Sequence, residues 1–354
     1  MKILLTADPE LPVPPKLYGG IERVIDVLVR ELQARGHEIG LVAHRESTVV
    51  ATRLFPWPGL HSQNRWDALR NTGALWRATR QFQPDVVHSF SRLAYLSPLF
   101  LQSSILRLRS PRMIMSYQRQ PTERQVARAA RLAGPALTFT GCSEHICREG
   151  RRGGGNWHAI PNCVELGKYT FQPDVKPAAP LVFLSRVERI KGAHTAIAVA
   201  KRTGRRLTIA GNHGESGEEG RYWQKEILPY LGKDGIEYVG PVDDVQKNQL
   251  LGQAAAMLVP IEWEEPFGIV FAEALACGTP VISCPRGALP EIVREGVDGF
   301  LVNNAEQACA AVEKLPAINR ADCRQRAEAK FSSGAVTERY LELYSKLSPH
   351  SKFH

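Results

Sequence analysis

Short apolar runs recur along this chain, and between them apolar residues return every three to four positions; no other feature restricts its fold as much. In the first half KILLT, EIGLVA, DVVH, RMIMS and LTFTG read as strands, and in the second LVFLS, RLTIA, IEYVG, AMLVP and TPVIS do the same. Between such runs lie helical patterns: Ile21, Val24, Ile25, Leu28 and Leu32 share one face. Strands that lack polar alternation are buried on both sides, which is the condition of parallel strands covered by helices. The fold class expected is therefore α/β, with two doubly wound, Rossmann-like domains facing across a cleft. Ligands of such sheets sit beyond the carboxyl ends of the strands, so functional residues are sought at strand ends and helix starts.

A length of 354 residues exceeds one ordinary core and fits two domains. Pro173, Pro177 and Pro180 cluster where the periodicity lapses, which sets the expected domains at 1–170 and 175–334. In the last segment, 335–354, Val336, Tyr340, Leu343, Tyr344 and Leu347 stand at helical spacing, and this helix is expected to pack back on the first domain. No apolar run approaches the ~18 residues of a membrane span, and MKILLTAD reads as a first strand rather than a secretory signal. Seven cysteines without a CxxC pair suit a reduced cytoplasm and argue against a zinc site. The net charge of +9 is lopsided: residues 1–175 hold 23 Lys and Arg against 14 Asp and Glu, whereas residues 176–354 hold 22 of each. A one-sided basic surface suits an acidic lipid face, a phosphate-bearing acceptor or nucleic acid; a solvated arginine-rich face is the plainer alternative.

The stretch EEPFGIVFAEALACGTPVI narrows the chemistry. Glu273 is the only residue between Pro266 and Ile282 with a side chain of the charged type. An unpaired buried carboxylate costs several kcal/mol, so Glu273 must either turn to solvent or meet a partner, and that partner is a ligand or a neighbouring arginine. Pro266 and Gly268 open a helix after the strand AMLVP, and the first N–H groups of a helix make an anion site. Glu265 lies eight residues before Glu273, up to ~12 Å at helical rise. That span suits a nucleotide sugar, with phosphates at the helix start, sugar hydroxyls near Glu265 and ribose on Glu273. In LSRVERIKG, Arg186 follows a strand and Lys191 opens the next helix, where a cation is unfavourable unless an anion binds nearby. A guanidinium fork beside a mobile ammonium suits a diphosphate. In KLYGGIERV, Gly19 and Gly20 allow backbone to approach a ligand, while the missing GxGxxG counts against a dehydrogenase.

Other features carry less. GNHGESGEEG, residues 211–220, is glycine-rich but acidic and reads as a mobile loop. Asp243 and Asp244 read as a helix N-cap and first turn rather than a metal pair. His88 ends a strand, where a ligand contact and a satisfied core histidine stay open. Arg107, Arg109, Arg112 and Arg119 crowd the first half, and Arg119, just past a strand end, is placed to meet an acceptor.

Taken together, YGGIERV, DVVHSFSRLA, GCSEHI, IPNCVELGKY, LSRVERIKG, LTIAGN, IEYVGPV and the Glu265-x7-Glu273 stretch resemble the retaining glycosyltransferases of family 4 over nearly the whole chain. The resemblance implies the two-domain GT-B fold and a hexose transferred from a nucleotide diphosphate sugar to an acceptor hydroxyl, with configuration retained and no metal or cofactor. UDP-hexose is favoured and GDP-hexose is compatible; the acceptor is a glycan, lipid or natural product, and nucleic acid is not a partner. It further implies that Arg186 and Lys191 bind the diphosphate, Glu265 contacts the transferred sugar and Glu273 the ribose. Backbone N–H groups of Phe267, Gly268, Ile269 and Val270 would hold sugar and phosphate, Gly19 and Gly20 would approach the diphosphate, and backbone near Val242 would meet the base. Many relatives carry a second histidine two residues after the first in DVVHxH; here that position is Phe90, so the sugar contact falls to His88 or is absent. A cytoplasmic protein is expected, with peripheral contact to an anionic inner membrane face as an addition. A nucleotide-sugar epimerase or phosphorylase of the same architecture would form product without acceptor, and a non-catalytic nucleotide-sugar-binding protein would bind donor without turnover.

Overall fold

The structure, a computed structural model, describes residues 1–16, 19–104 and 111–347. The chain forms two compact units, one made of Met1–Cys163 together with the segment from Ser333 onward, the other of Val164–Ser332. The division precedes the proline cluster at Pro173–Pro180, because the Val164 N–H already donates to the Phe331 carbonyl (2.7 Å), so the second unit starts and ends at one point.

The first unit is a seven-stranded parallel sheet of β1 (Lys2–Thr6), β2 (Glu38–Ala43), β3 (Arg53–Pro56), β4 (Val86–Ser89), β5 (Arg112–Tyr117), β6 (Leu137–Gly141) and β7 (Asn156–Ala159), in the order β3-β2-β1-β4-β5-β6-β7. Among its helices are α1 (Gly20–Ala34), α2 (Arg65–Phe82), α3 (Ser97–Ser104), α4 (Glu123–Ala133) and α5 (Glu144–Arg151). Successive side chains of a strand point to opposite faces. On one face Leu4, Val42, Val87, Met113 and Phe139 build a core with α2 to α5.

The second unit is a six-stranded parallel sheet of β8 (Leu181–Leu184), β9 (Leu207–Ala210), β10 (Ile236–Gly240), β11 (Ala256–Val259), β12 (Val281–Ser283) and β13 (Gly299–Leu301), in the order β10-β9-β8-β11-β12-β13. Its helices include α6 (Ala193–Thr203), α7 (Gly217–Tyr222), α8 (Asp244–Gln253), α9 (Ile269–Ala276), α10 (Leu289–Ile292), α11 (Ala305–Lys314) and α12 (Arg320–Phe331). The final helix, α13 (Ser333–Leu347), returns to the first unit and packs on α1. The last residues of the expected 335–354 helix, from 348, lie outside the described residues, as do Arg107 and Arg109.

Two expectations need correcting. The glycine-rich segment 211–220 is not a loop throughout: α7 starts at Gly217, and the His213 ring stacks on Trp223 (3.9 Å between centroids). Lys191 does not open a helix but ends a 3-10 turn, Arg189–Lys191, and α6 begins after Gly192. Asp243 is an N-cap, and its side chain and that of Gln246 reciprocally bond each other's backbone N–H groups.

Candidate active site

In each sheet the strand order reverses between two parallel neighbours, β1 and β4 in the first unit and β8 and β11 in the second. Ligands of open α/β sheets bind at such reversals, just past the carboxyl ends of the strands.

In the second unit the loops after β8 and β11 supply Lys191 and Glu265. Gly192 has φ 78°, and a Cβ there would lie 2.1 Å from the Pro260 carbonyl oxygen, so only glycine lets the turn after β8 close on the end of β11. The Glu262 N–H donates to the Ile190 carbonyl (2.8 Å) and fixes that approach. Lys191 Nζ then donates to Glu265 Oε2 at 2.5 Å, with side chains only 9% and 10% exposed. Trp263 Nε1 donates to the same oxygen (3.1 Å), and its ring lies 4.4 Å from Lys191 Nζ. The ammonium is thus held by a carboxylate and an aromatic face at once. Arg186 is not part of this group: its side chain is half exposed and Nη1 donates to Glu188 Oε1 (2.5 Å).

Helix α9 follows Glu265 directly. Gly268 caps it at φ 80°, where a Cβ would strike the Phe271 ring at 2.5 Å. Phe267 is buried edge-on against Phe331, while Gly268, Ile269 and Val270 are partly open to solvent. The first N–H groups of a helix have no acceptor within it, so this start can receive an anion. Glu273, the fifth residue of α9, does not wait for a ligand to supply its partner. Its Oε1 accepts from Tyr169 Oη (2.6 Å) and Lys247 Nζ (2.7 Å), whereas Oε2 takes no bond among the described residues. Burial, and then the Glu273 charge, hold the Tyr169 phenol well above its ordinary pKa. The expectation of a ligand-only or arginine partner is thereby corrected to a lysine and a tyrosine. Val242 lies beyond β10, half-buried, next to the α8 cap.

Near the reversal in its own sheet the first unit has Gly19, Gly20, Arg119 and two carboxylates. A Cβ on Gly19 would meet Pro15 Cβ at 2.7 Å and Glu22 Oε2 at 2.8 Å, so the turn into α1 is already closed tightly, with Gly20 as the first helical residue. Leu17 and Tyr18 of the same loop lie outside the described residues. Asp8 follows β1, and Glu22, 5% exposed, sits in the first turn of α1. Burial pushes both carboxyls above their ordinary pKa, each feels the other or a further acid, and exposed Arg119, just past β5, acts in the opposite sense on both.

His88 belongs to the core instead. It is fully buried, Nδ1 bonds Tyr344 Oη (2.7 Å), Nε2 bonds Ser116 Oγ (2.6 Å), and burial lowers its pKa to about 3. Both ring nitrogens are taken by the protein, which corrects its assignment to donor binding. Phe90 packs against that ring at a tilt of 37° (4.3 Å between centroids) and meets Tyr340 edge-on, so it is core as well.

Lys191 and Glu265 were both legible in the sequence, one as a diphosphate ligand and the other as a sugar contact, but not as a pair that touches. Sequence reasoning missed Trp263, Lys247, Tyr169, Asp8 and Glu22. Asp8 had a usable signal, since it stands directly past a strand end as Arg186 does.

The family described as Glycosyl transferases group 1 matches residues 173–330, and Glycosyltransferase Family 4 matches residues 18–168. A D-inositol 3-phosphate glycosyltransferase of Mycobacterium marinum is 31% identical over 148 residues, 41% of this chain and 31% of the relative. Spore coat protein SA of Bacillus subtilis is 23% identical over 182 residues, 47% of this chain and 48% of the relative. The chain therefore spans less than half the length of these relatives. Among solved structures, AviGT4, a glycosyltransferase involved in avilamycin A biosynthesis, is 26% identical, with a TM-score of 0.69 over 99% of this chain and 98% of that one. HepE of Anabaena, solved with UDP and glucose, shares 17% identity and a TM-score of 0.73 over 98% of this chain and all of that one, a likeness of fold.

Proposed function

The chain belongs to the group 1, family 4 glycosyltransferases, enzymes of the GT-B fold, and from that premise we propose that it moves a hexosyl group from a nucleotide diphosphate sugar, UDP-hexose by preference, to an acceptor hydroxyl, with retained configuration and without a metal. The observation that carries this reading is the buried Lys191–Glu265 pair at the β8/β11 reversal, directly before the start of α9. As the bond from the anomeric carbon to the diphosphate breaks, negative charge collects on the leaving oxygen. Lys191, Arg186 and the first N–H groups of α9 offset that charge. The sugar becomes oxocarbenium-like, and Glu265, freed from Lys191, faces the developing positive charge. Glu273 Oε2 is open to a ribose hydroxyl while Lys247 and Tyr169 hold the carboxylate in place through Oε1. UDP is preferred because HepE was solved with UDP and with UDP-glucose.

The test is the melting temperature with UDP, GDP and ADP, each with and without EDTA, followed by NMR of the product anomer. A ligand at about 100 times its Kd adds roughly 2.7 kcal/mol to the folded state, a shift of a few degrees. A UDP shift that survives EDTA and a product of unchanged anomeric configuration are expected. No shift with any nucleotide overturns the proposal, and donor binding without transfer or hydrolysis leaves a binding protein.

A further inference from the structure

Residues 1–175 carry the whole net charge of the chain, and α2 shows where part of it goes. One side of this helix packs into the core through Leu75, Ala78 and Phe82. The other presents Trp66 (74% exposed), Leu69 (64%) and Trp76 (37%) to solvent. Burying a large apolar side chain stabilises a fold, so three left outside on one helix forgo a gain that the fold itself does not recover. Four arginines accompany them on α2, with Asp67 as the helix's only carboxylate, which accepts from the His61 N–H (3.0 Å) and lies 4.0 Å from Arg70, so the arginines outnumber it four to one. Helix α3 packs on both α2 and α4, and α4 adds three more arginines against one glutamate. Arg80 lies 5.0 Å from the Trp76 ring centroid, a cation above an aromatic face.

Arginines alone would suit any polyanion. Tryptophan and leucine standing among them suit a partner that is anionic at its surface and apolar beneath, with indoles at the headgroup level and guanidiniums on the phosphates. We propose that the α2–α4 face of the first unit docks on an anionic lipid bilayer, with Trp66, Leu69 and Trp76 entering the interface and the arginines binding headgroup phosphate. No helix among the described residues is long and apolar enough to cross a membrane, so this contact is peripheral. Nucleic acid would match the arginines but leave Leu69 without a role.

The experiment is sedimentation of the full chain with phosphatidylcholine vesicles, with and without phosphatidylglycerol, at low and high salt. Binding is expected only to the charged vesicles, weakened by salt, with a blue shift of tryptophan emission. The double variant Arg70→Gln with Arg77→Gln is expected to weaken binding roughly 25-fold, about fivefold per arginine. Trp66→Ser with Leu69→Ser is expected to abolish most of the blue shift and leave a weaker, salt-sensitive attachment. Because these side chains are exposed, circular dichroism and melting should stay at wild-type values. Equal sedimentation with neutral vesicles, no sedimentation with charged ones, or unaltered binding by both variants overturns the proposal. So does competition by RNA that displaces the protein from charged vesicles while both aromatic positions prove indifferent.

Discussion

Lys191 and Glu265 are each nearly out of water, and their attraction has to offset the loss of two hydration shells. Such a pair adds little net stability, but removing one member strands the other. Lys191→Ala or Glu265→Ala alone should lower stability by about 3 kcal/mol in urea unfolding, and the double variant should recover a large part of it. Additive losses would show that the two groups do not depend on each other. For turnover the order is reversed: Lys191→Ala should cost on the order of 10²-fold, and the double variant should recover nothing. Glu22 poses the opposite case, a buried carboxylate with no hydrogen bond to another described residue. Its folded pKa is raised, so its stabilising contribution is complete below the ordinary value of about 4.3 and is lost as pH rises through the folded value. Glu22→Gln should therefore melt higher than wild type at neutral pH, with the gap closing as pH falls toward 4. A gap that does not change with pH would mean that the carboxyl is not held up by burial.

Among elements, the strands legible in the sequence and those that were not differ in a physical way. Those recognised include every interior strand of both sheets; β3, β7 and β13, which were missed, all lie at sheet edges. An interior strand is covered on both faces and flanked on both sides, so it becomes a continuous apolar run, whereas an edge strand such as RLFP or NWHA keeps polar residues toward solvent. The site divides along the same line. Lys191, Glu265 and the start of α9 could be placed because each is fixed by its own strand end and local glycine. The partners of Glu273 and His88 could not, since Lys247 lies 26 residues from Glu273 and Tyr344 lies 256 from His88, and no local pattern encodes such contacts. Gly268 tests the local part. An alanine there would be forced to φ 80° at about 1–2 kcal/mol and would displace the Phe271 ring as well. Gly268→Ala should lower both the melting temperature and UDP affinity, and an unchanged titration would remove the start of α9 from the donor site.

The whole molecule consists of two units with separate cores and different chemical sensitivities. His88 gives the first unit an acid-labile centre. Neutral in the fold, it accepts or donates at both ring nitrogens between Ser116 and Tyr344, and burial depresses its pKa to about 3. A histidine depressed in the fold contributes stability above its ordinary pKa near 6.5, and that contribution drains away as pH falls from there toward 3. By pH 5 the loss is about 2 kcal/mol, at 1.36 kcal/mol per pKa unit. The proposed nucleotide contacts of Lys191, Arg186 and Glu273, by contrast, lie in the second unit. Calorimetry at pH 5 with excess UDP should therefore resolve two transitions, the first unit's moved down by acid and the second's moved up by nucleotide. His88→Gln, which cannot take a proton in this range, should remove a large part of the acid-induced shift of the lower transition, the half-buried His37 and His158 accounting for the rest, while leaving the UDP-dependent one in place. A single transition that answers to acid and UDP together would show that the two cores melt as one, and an acid shift undiminished in the variant would place the proton elsewhere than on His88.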